Sequence, residues 1–200
     1  MQVSEPDFSK TYSYADYLLW TVAERFEIIK GKVFTMSPAP NTAHQRIVGA
    51  LYFQVAQYLK GKTCEVFVAP FDVRLSRKKK DTEITTVVQP DICVVCDSDK
   101  IDEKGCLGAP DLVVEILSPG NNKKELKHKF EVYEESRVQE YWIIHPEEQT
   151  LMVYTLVGDK YQPGKLLTNG DQVYSPLFPG FILDLNEIFP ENNSQLTTTN

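Results

Sequence analysis

The chain has 200 residues, of which 42% are hydrophobic and 24% charged, with a formal net charge of −7 and a pI of about 5.1. These values are typical of one globular domain with a sizeable core. Neither a signal peptide nor a long apolar segment is visible, which argues against a membrane-spanning or secreted class and predicts a soluble, cytoplasmic protein.

The acidic balance argues against a typical nucleic-acid-binding protein, since such proteins are usually basic. Two runs of positive charge, at 74–80 and 123–129, break this pattern. Either run could form a locally basic rim that meets phosphate groups. The simpler interpretation of each run by itself is a solvated face.

The N-terminal part predicts a short helix followed by a hairpin. Ser13 and Asp16 have the spacing of a capping box for a helix that reaches Trp20. The stretch 26–36 predicts a β-hairpin that turns at a glycine. Glu27 precedes an apolar pair in its first strand and is either an extra acidic ligand or an exposed carboxylate.

A longer helix is predicted next. Thr42 and Gln45 have capping-box spacing at its start, and Gly61 ends it. His44 begins the apolar stripe of this helix and would lie at its N-terminus, where backbone N–H groups favour anions. A packed or capping histidine is the alternative. The strand that follows carries Asp72, which either lines a site or faces solvent.

Four cysteines, Cys64, Cys93, Cys96 and Cys106, are expected to be reduced in a cytoplasmic protein. Cys93 and Cys96 have a spacing seen in zinc and redox sites. Because they lie three residues apart in a predicted strand, they point to opposite faces, which favours a buried structural role over a shared zinc ion.

Two short apolar runs in the middle of the chain, Ile92–Cys96 and Leu112–Leu117, predict buried strands. Asp91 opens the first run and Glu115 lies inside the second. A charge in such a place is costly unless it is paired or binds a metal. These two carboxylates are therefore the first candidates for a functional site.

The two runs predict an antiparallel pair joined by a solvated loop at 97–109. In the register that places Cys96 opposite Pro110, Asp91 lies directly opposite Glu115, with Cβ atoms about 4.5–5.5 Å apart. Two carboxylates at that separation can share one divalent cation. Asp111 competes with Asp91, but it is roughly 13 Å from Glu115 along the strand, too far for one ion.

A lysine-rich helix follows the second run. Leu126, Phe130 and Tyr133 form its apolar stripe, and Lys129 falls within that stripe. A catalytic lysine beside the two carboxylates is one interpretation, and a side chain whose charged end reaches water is the other. The segment through Leu185 alternates short β-like runs with turns and predicts further hairpins.

Several of these segments carry a family resemblance. Pro90-Asp91 followed by Glu115 resembles the PD-(D/E)XK nuclease superfamily. The segments FEIIKGKVFTMSPAP, GAPDLVVEILSPG and EYWIIHP, together with His44, Glu125, Lys129 and Tyr133, resemble the Uma-type restriction endonucleases, over roughly residues 14–146. The superfamily usually has a lysine where Leu117 stands here, whereas the Uma-type pattern places a lysine on the following helix, at the position of Lys129.

The resemblance implies an α/β (α+β) fold with a restriction-endonuclease-like core: a mixed β-sheet flanked by helices, with extra N- and C-terminal β-hairpins. It implies one domain over residues 1–190, and the Asn/Thr-rich residues 191–200 predict a disordered tail. DNA is the expected partner, no membrane association is expected, and a homodimer is left open.

The implied activity is metal-dependent hydrolysis of DNA phosphodiester bonds. Asp91, Glu115 and the Ile116 carbonyl would hold Mg²⁺ or Mn²⁺, while Lys129 and His44 would assist as catalytic residues. Two alternatives stay open: a non-catalytic binding or scaffold protein on a nuclease-like fold, and a hydrolase of a small phosphorylated substrate.

Overall fold

A computed structural model of the chain describes residues 6–21, 23–36, 41–118 and 123–189, apart from the side chains of residues 123–125. The tail expected at 191–200 lies outside these residues. The α-helices of the described part are α1 (Tyr14–Tyr17), α2 (Thr42–Leu59) and α3 (Lys123–Ser136). Within those residues, no helix is both long enough and apolar enough to cross a membrane.

The predicted N-terminal cap is confirmed for α1 and is wrong for α2. Ser13 and Asp16 form the predicted capping box, in which each side chain accepts a hydrogen bond from the backbone N–H of the other residue. Helix α1 is shorter than expected and ends at Tyr17. In α2 the N-cap is Asn41, whose side chain accepts a hydrogen bond from the His44 N–H. The expected capping box at Thr42 is therefore wrong by one residue.

The strands of the described residues are short, as expected for a small mixed domain. They are β1 (Phe26–Ile29), β2 (Lys32–Thr35), β3 (Glu65–Val68), β4 (Val73–Arg74), β5 (Val87–Val88), β6 (Ile92–Val95), β7 (Ile101–Asp102), β8 (Gly105–Leu107), β9 (Leu112–Ile116), β10 (Glu140–His145), β11 (Thr150–Val157), β12 (Lys160–Pro163), β13 (Leu167–Thr168), β14 (Gln172–Tyr174) and β15 (Ile182–Asp184).

The central sheet has the strand order β12-β11-β10-β9-β6-β3, with β13 paired to β11. Strands β9 and β10 are parallel and are joined by α3, whereas β6 and β9 are antiparallel, so the sheet is mixed as predicted. An N-terminal sheet has the order β2-β1-β5-β4-β8-β7. The predicted N-terminal hairpin is β1–β2, and β14–β15 is one of the C-terminal hairpins. The loop expected at 97–109 contains a short hairpin, β7–β8.

Both faces of the central sheet are buried, which explains why its middle strands are almost continuously apolar. One face packs against α2 through residues such as Ile47 and Leu51. The other face packs against α3 and the N-terminal sheet, through residues that include Tyr133, Val73 and Ile29. Side chains of β9 alternate between these two environments, and Glu115 belongs to the face of α3 and the N-terminal sheet.

The cysteine predictions have a mixed outcome. Cys93 packs into the core on one face of β6, while Cys96 packs against the core on the other face, as predicted. The expectation of four reduced cysteines is wrong, because Cys64 and Cys96 form a disulfide. The antiparallel register of β3 and β6, which pairs Glu65 with Val95, brings these two positions together.

Candidate active site

The two candidate acidic residues lie opposite each other in the register of two antiparallel strands. Ile92 of β6 pairs with Val114 of β9, and the same register places Asp91 opposite Glu115. The predicted register is therefore confirmed. The Ile116 N–H donates a hydrogen bond of 2.7 Å to Asp91 Oδ2, which fixes the first carboxylate beside the strand that carries the second.

Glu115 is 7% exposed, and both of its carboxylate oxygens accept hydrogen bonds from side chains of α3. Lys129 Nζ donates to both of its oxygens, at 3.0 and 3.2 Å, and the Tyr133 hydroxyl donates to Oε1 at 2.7 Å. Lys129 and Tyr133 are four residues apart and so lie on one helix face. Lys129 is only 5% exposed, so the interpretation with its charged end in water is wrong.

Glu27 is the second partner of Lys129. Its Oε1 lies 2.9 Å from Lys129 Nζ and accepts the Gln89 N–H at 2.8 Å. The carboxylate is 1% exposed, and Oε2 has no hydrogen-bond partner among the described residues. The interpretation of Glu27 as an exposed strand carboxylate is wrong, because α3 covers this part of β1.

His44 reaches the site from α2. Its ring is buried, and Nε2 lies 3.2 Å from Asp91 Oδ1. Nδ1 has no hydrogen-bond partner in the part of the chain that the structure describes. The structure thus brings together His44, Asp91, Glu115 and Lys129, and it adds Glu27 to them.

Charge and burial shift the pKa values of these groups in different directions. Burial raises the pKa of Glu115, Lys129 opposes the shift, and Asp91 and Glu27 add to it, which brings the pKa to about 7. Burial alone would lower the pKa of Lys129, but Glu115 and Glu27 raise it overall. The pKa of Tyr133 is raised by burial and by Glu115.

The pKa of His44 is also raised overall: burial lowers it, but the hydrogen bond and the negative charge of Asp91 outweigh burial, with help from the Ile116 backbone and Glu115. Within the described cluster, the carboxylates of Glu27, Asp91 and Glu115 outnumber the cations. Such a cluster favours an added proton or cation.

Two other acidic residues considered from the sequence lie outside this cluster. Asp72 is half-buried and accepts hydrogen bonds from the Tyr14 hydroxyl at 2.9 Å and from Gln89 Nε2 at 2.8 Å. Asp111 accepts the Cys96 N–H at 2.7 Å and a hydrogen bond from Gln139. It fixes the far end of the β6–β9 pair, and its role is structural.

The oxygen atoms of this cluster are the kind of ligand that a hard divalent cation prefers. Asp91, Glu115 and the Ile116 carbonyl offer oxygen ligands, which Mg²⁺ prefers. The described residues contain no ready-formed group of three or more His, Cys, Asp or Glu side chains spaced to hold a metal. A cation would therefore have to replace the contacts that Asp91 and Glu115 make with neighbouring donors.

A cleft of about 420 Å³ opens beside these residues. It lies at the carboxyl ends of the parallel strands β9 and β10, where ligands bind in open α/β sheets. Its lining residues are Asn41, Ala43, Leu117, Ser118, Leu126, His145, Pro146, Glu147 and Glu148. Ala43 and Leu117, which line the cleft, are the chain neighbours of His44 and Ile116.

The basic run at 74–80 is partly neutralised by nearby acids. Arg74 is buried and pairs with Asp102 at 2.5 Å, and Lys78 lies 3.6 Å from Glu83. Arg74 is therefore a buried ion-pair residue, and the exposed Lys78 is paired with an acid, which favours the solvated-face interpretation for that residue.

Sequence reasoning missed the part that Gln89 and Tyr133 play. The i, i+4 spacing of Lys129 and Tyr133 was a usable signal, because it places both side chains over the same strand residue. The Gln89 backbone contact had no such signal, since it depends on the position of β1.

Comparisons with known proteins show the family and the fold of the chain. The model of the Uma2 family, described as "putative restriction endonuclease", matches residues 14–186. The crystal structure of a "putative nuclease belonging to DUF820" from Anabaena variabilis has a TM-score of 0.70 and 21% sequence identity, and the match covers 89% of this chain and 97% of that chain. A comparison with curated proteins gave no match. The nuclease-like fold is thus confirmed, and the chain belongs to the Uma2 family.

Proposed function

We propose that this protein is a Mg²⁺-dependent endonuclease that hydrolyses DNA phosphodiester bonds. Asp91 and Glu115 hold the cation together with the Ile116 carbonyl, and Mn²⁺ can replace Mg²⁺. The observation that carries the proposal is the opposition of Asp91 and Glu115 at the end of one strand pair, with Lys129 Nζ 3.0 Å from Glu115 Oε1. The description of the Uma2 family as an endonuclease supports the same class of reaction.

The cation, when bound, supplies polarisation of the scissile phosphate and a lower pKa for an attacking water. Lys129 is kept protonated by its two carboxylates and can donate to a phosphate oxygen or orient the water, which stabilises the charge that develops on the phosphate. Tyr133 holds Glu115 Oε1 in place through its hydroxyl.

His44 is the residue that α2 contributes to the site. Its Nε2 lies 3.2 Å from Asp91 Oδ1, and although burial lowers the pKa of the ring, Asp91 raises it overall, which favours the protonated form. A protonated imidazole can donate to a phosphate oxygen or release a proton to the leaving oxygen. The Asp91 contact keeps the ring oriented for either role.

One observation favours a different function, a non-catalytic binding or scaffold protein. Both oxygens of Glu115 are already engaged by Lys129 and Tyr133, so the network can be explained as a buried ion pair that supports the fold. The net charge of −7 also suits DNA poorly.

Calorimetric Mn²⁺ titration and plasmid cleavage in Mg²⁺ or Mn²⁺ distinguish the two functions. The parent protein should bind Mn²⁺ and cleave DNA, and Glu115→Gln should lose both properties because an amide is a weaker ligand for a hard cation. Glu140→Gln is the matched control: Glu140 is also buried but contacts Ser175 and Trp142 instead. Mn²⁺ binding by Glu115→Gln with parental affinity would contradict the assigned site. Binding without cleavage would favour the scaffold.

A further inference from the structure

We infer that Glu27 is a positioning residue: it holds the Lys129 ammonium in place so that Glu115 can turn to the cation. This inference rests on the function proposed above and adds a role for a carboxylate of the N-terminal sheet. Glu27 acts through Lys129 and does not itself contact the cation.

The geometry places Lys129 between two carboxylates of different sheets. Its Nζ lies 2.9 Å from Glu27 Oε1 and 3.0 Å from Glu115 Oε1. Glu115 belongs to the central sheet and lies opposite Asp91, whereas Glu27 belongs to β1 of the N-terminal sheet. One ammonium therefore joins a carboxylate of the proposed metal site to a carboxylate of the N-terminal sheet.

Glu115 has two competing tasks in the proposed reaction. It pairs with Lys129 through both oxygens, and in the proposed reaction it would also be a ligand of the cation. A buried ammonium that loses its partner is strongly destabilising, and Lys129 is only 5% exposed. Without a second carboxylate, the cation and the lysine would compete for Glu115.

Glu27 removes this competition. If Glu115 turned to the cation, Lys129 could keep its contact with Glu27, because that contact does not involve Glu115. The buried Glu27 Oε2 has no partner among the described residues and offers the ammonium a second acceptor. Lys129 can then keep its charge and position while its contact with Glu115 loosens.

Glu27 is itself well anchored for this role. The Gln89 N–H donates to its Oε1 at 2.8 Å, and Gln89 is two residues from Asp91. The Gln89 side chain is fixed in turn by Asp72, at 2.8 Å, and by Tyr17, at 3.2 Å. The carboxylate thus links Lys129 to the segment that leads into Asp91.

A double-mutant cycle tests the inference. Calorimetry measures Mn²⁺ binding by the parent, by Glu27→Gln, by Lys129→Met and by the double variant. With Lys129 present, Glu27→Gln should weaken Mn²⁺ binding about ten-fold, because the lysine then competes for Glu115. In the Lys129→Met background the same change should weaken binding by less than about three-fold. If Lys129→Met does not fold, Lys129→Gln replaces it, and Glu140→Gln controls for the loss of a buried carboxylate.

An equal or larger loss in the Lys129→Met background would overturn the inference and would mean that Glu27 contacts the cation directly. Unchanged affinity in Glu27→Gln would overturn it as well. If the parent protein binds no Mn²⁺, the proposed function fails, and denaturant unfolding of the four metal-free proteins decides the Glu27 role separately. If the stability effects of the two substitutions are coupled in that cycle, the result supports the inference that Glu27 holds Lys129. Strictly additive effects on stability would overturn the inference.

Discussion

The Ile116 N–H donates a hydrogen bond of 2.7 Å to Asp91 Oδ2, so the backbone of one strand fixes the first site carboxylate next to the second. Asp91 therefore has two separable properties: a shape that accepts this bond, and a charge that attracts a cation. Substitutions can remove one property without the other.

Asp91→Asn should keep the bond from Ile116 and lose Mn²⁺ binding. Its free energy of unfolding should stay within about 1 kcal/mol of the parent value, because the amide oxygen replaces the carboxylate oxygen as acceptor. Asp91→Ala leaves the N–H without its partner and should cost about 1–3 kcal/mol. Urea unfolding and calorimetric titration of both variants check this, and equal stabilities would show that the bond contributes little.

Asp91→Asn should also lower the pKa of His44. In the parent, burial lowers this pKa and Asp91 raises it above the usual value of 6.5. Once the carboxylate is neutral, burial dominates and the ring loses its proton at lower pH. The protein has three histidines, so NMR titration of their ring protons can resolve this change. The other two histidines serve as internal controls, and an unmoved His44 would contradict the contact.

The raised pKa of His44 also predicts how the stability of the fold changes with pH. A histidine with a raised pKa stabilises the fold most below pH 6.5, and this contribution is lost as the pH rises through the folded-state pKa. The free energy of unfolding of the parent should therefore fall relative to that of His44→Gln as the pH rises above 6.5. Thermal melts of both proteins in a series of buffers measure the difference.

Glu115 should make the metal-free fold less stable as the pH rises from about 4.5 to about 7. Its pKa in the folded protein is raised from 4.5 to about 7, so the folded state holds a proton that the unfolded chain has already released. The difference between parent and Glu115→Gln should change by about 3 kcal/mol at most over this range, in favour of the variant. Urea unfolding at several pH values with a chelator present checks this, and a constant difference would show that Glu115 stays ionised throughout.

Lys129→Met should destabilise the metal-free protein by about 3–5 kcal/mol, because it leaves Glu27 and Glu115 buried without their cation. Added Mn²⁺ should restore part of this loss by neutralising Glu115. Lys127→Met is the matched control on the same helix, since the Lys127 side chain is 74% exposed and lies 3.8 Å from Glu131. It should change stability by less than about 0.5 kcal/mol. Thermal melts with and without Mn²⁺ test both variants, and a Lys129→Met protein as stable as the parent would show that the ion pair is dispensable.

The sequence alone determined the local part of the site. Two apolar runs with one carboxylate each predict a buried strand pair, and a side-chain period of two leaves few registers, so the opposition of Asp91 and Glu115 was predictable. The helical period likewise placed Lys129 on the buried face of α3. These predictions depend on residues close together in the chain.

The tertiary structure decided which distant residues complete the cluster. The sequence left Glu27 undecided between a ligand and an exposed carboxylate, because the burial of a strand residue depends on what covers it. Here α3, about 100 residues further along the chain, covers β1 and brings Lys129 to Glu27. The disulfide between Cys64 and Cys96 has the same origin, since it follows from the pairing of β3 with β6. Local periodicity fixes the face on which a side chain lies, but only the packing of separate elements fixes what that face contacts.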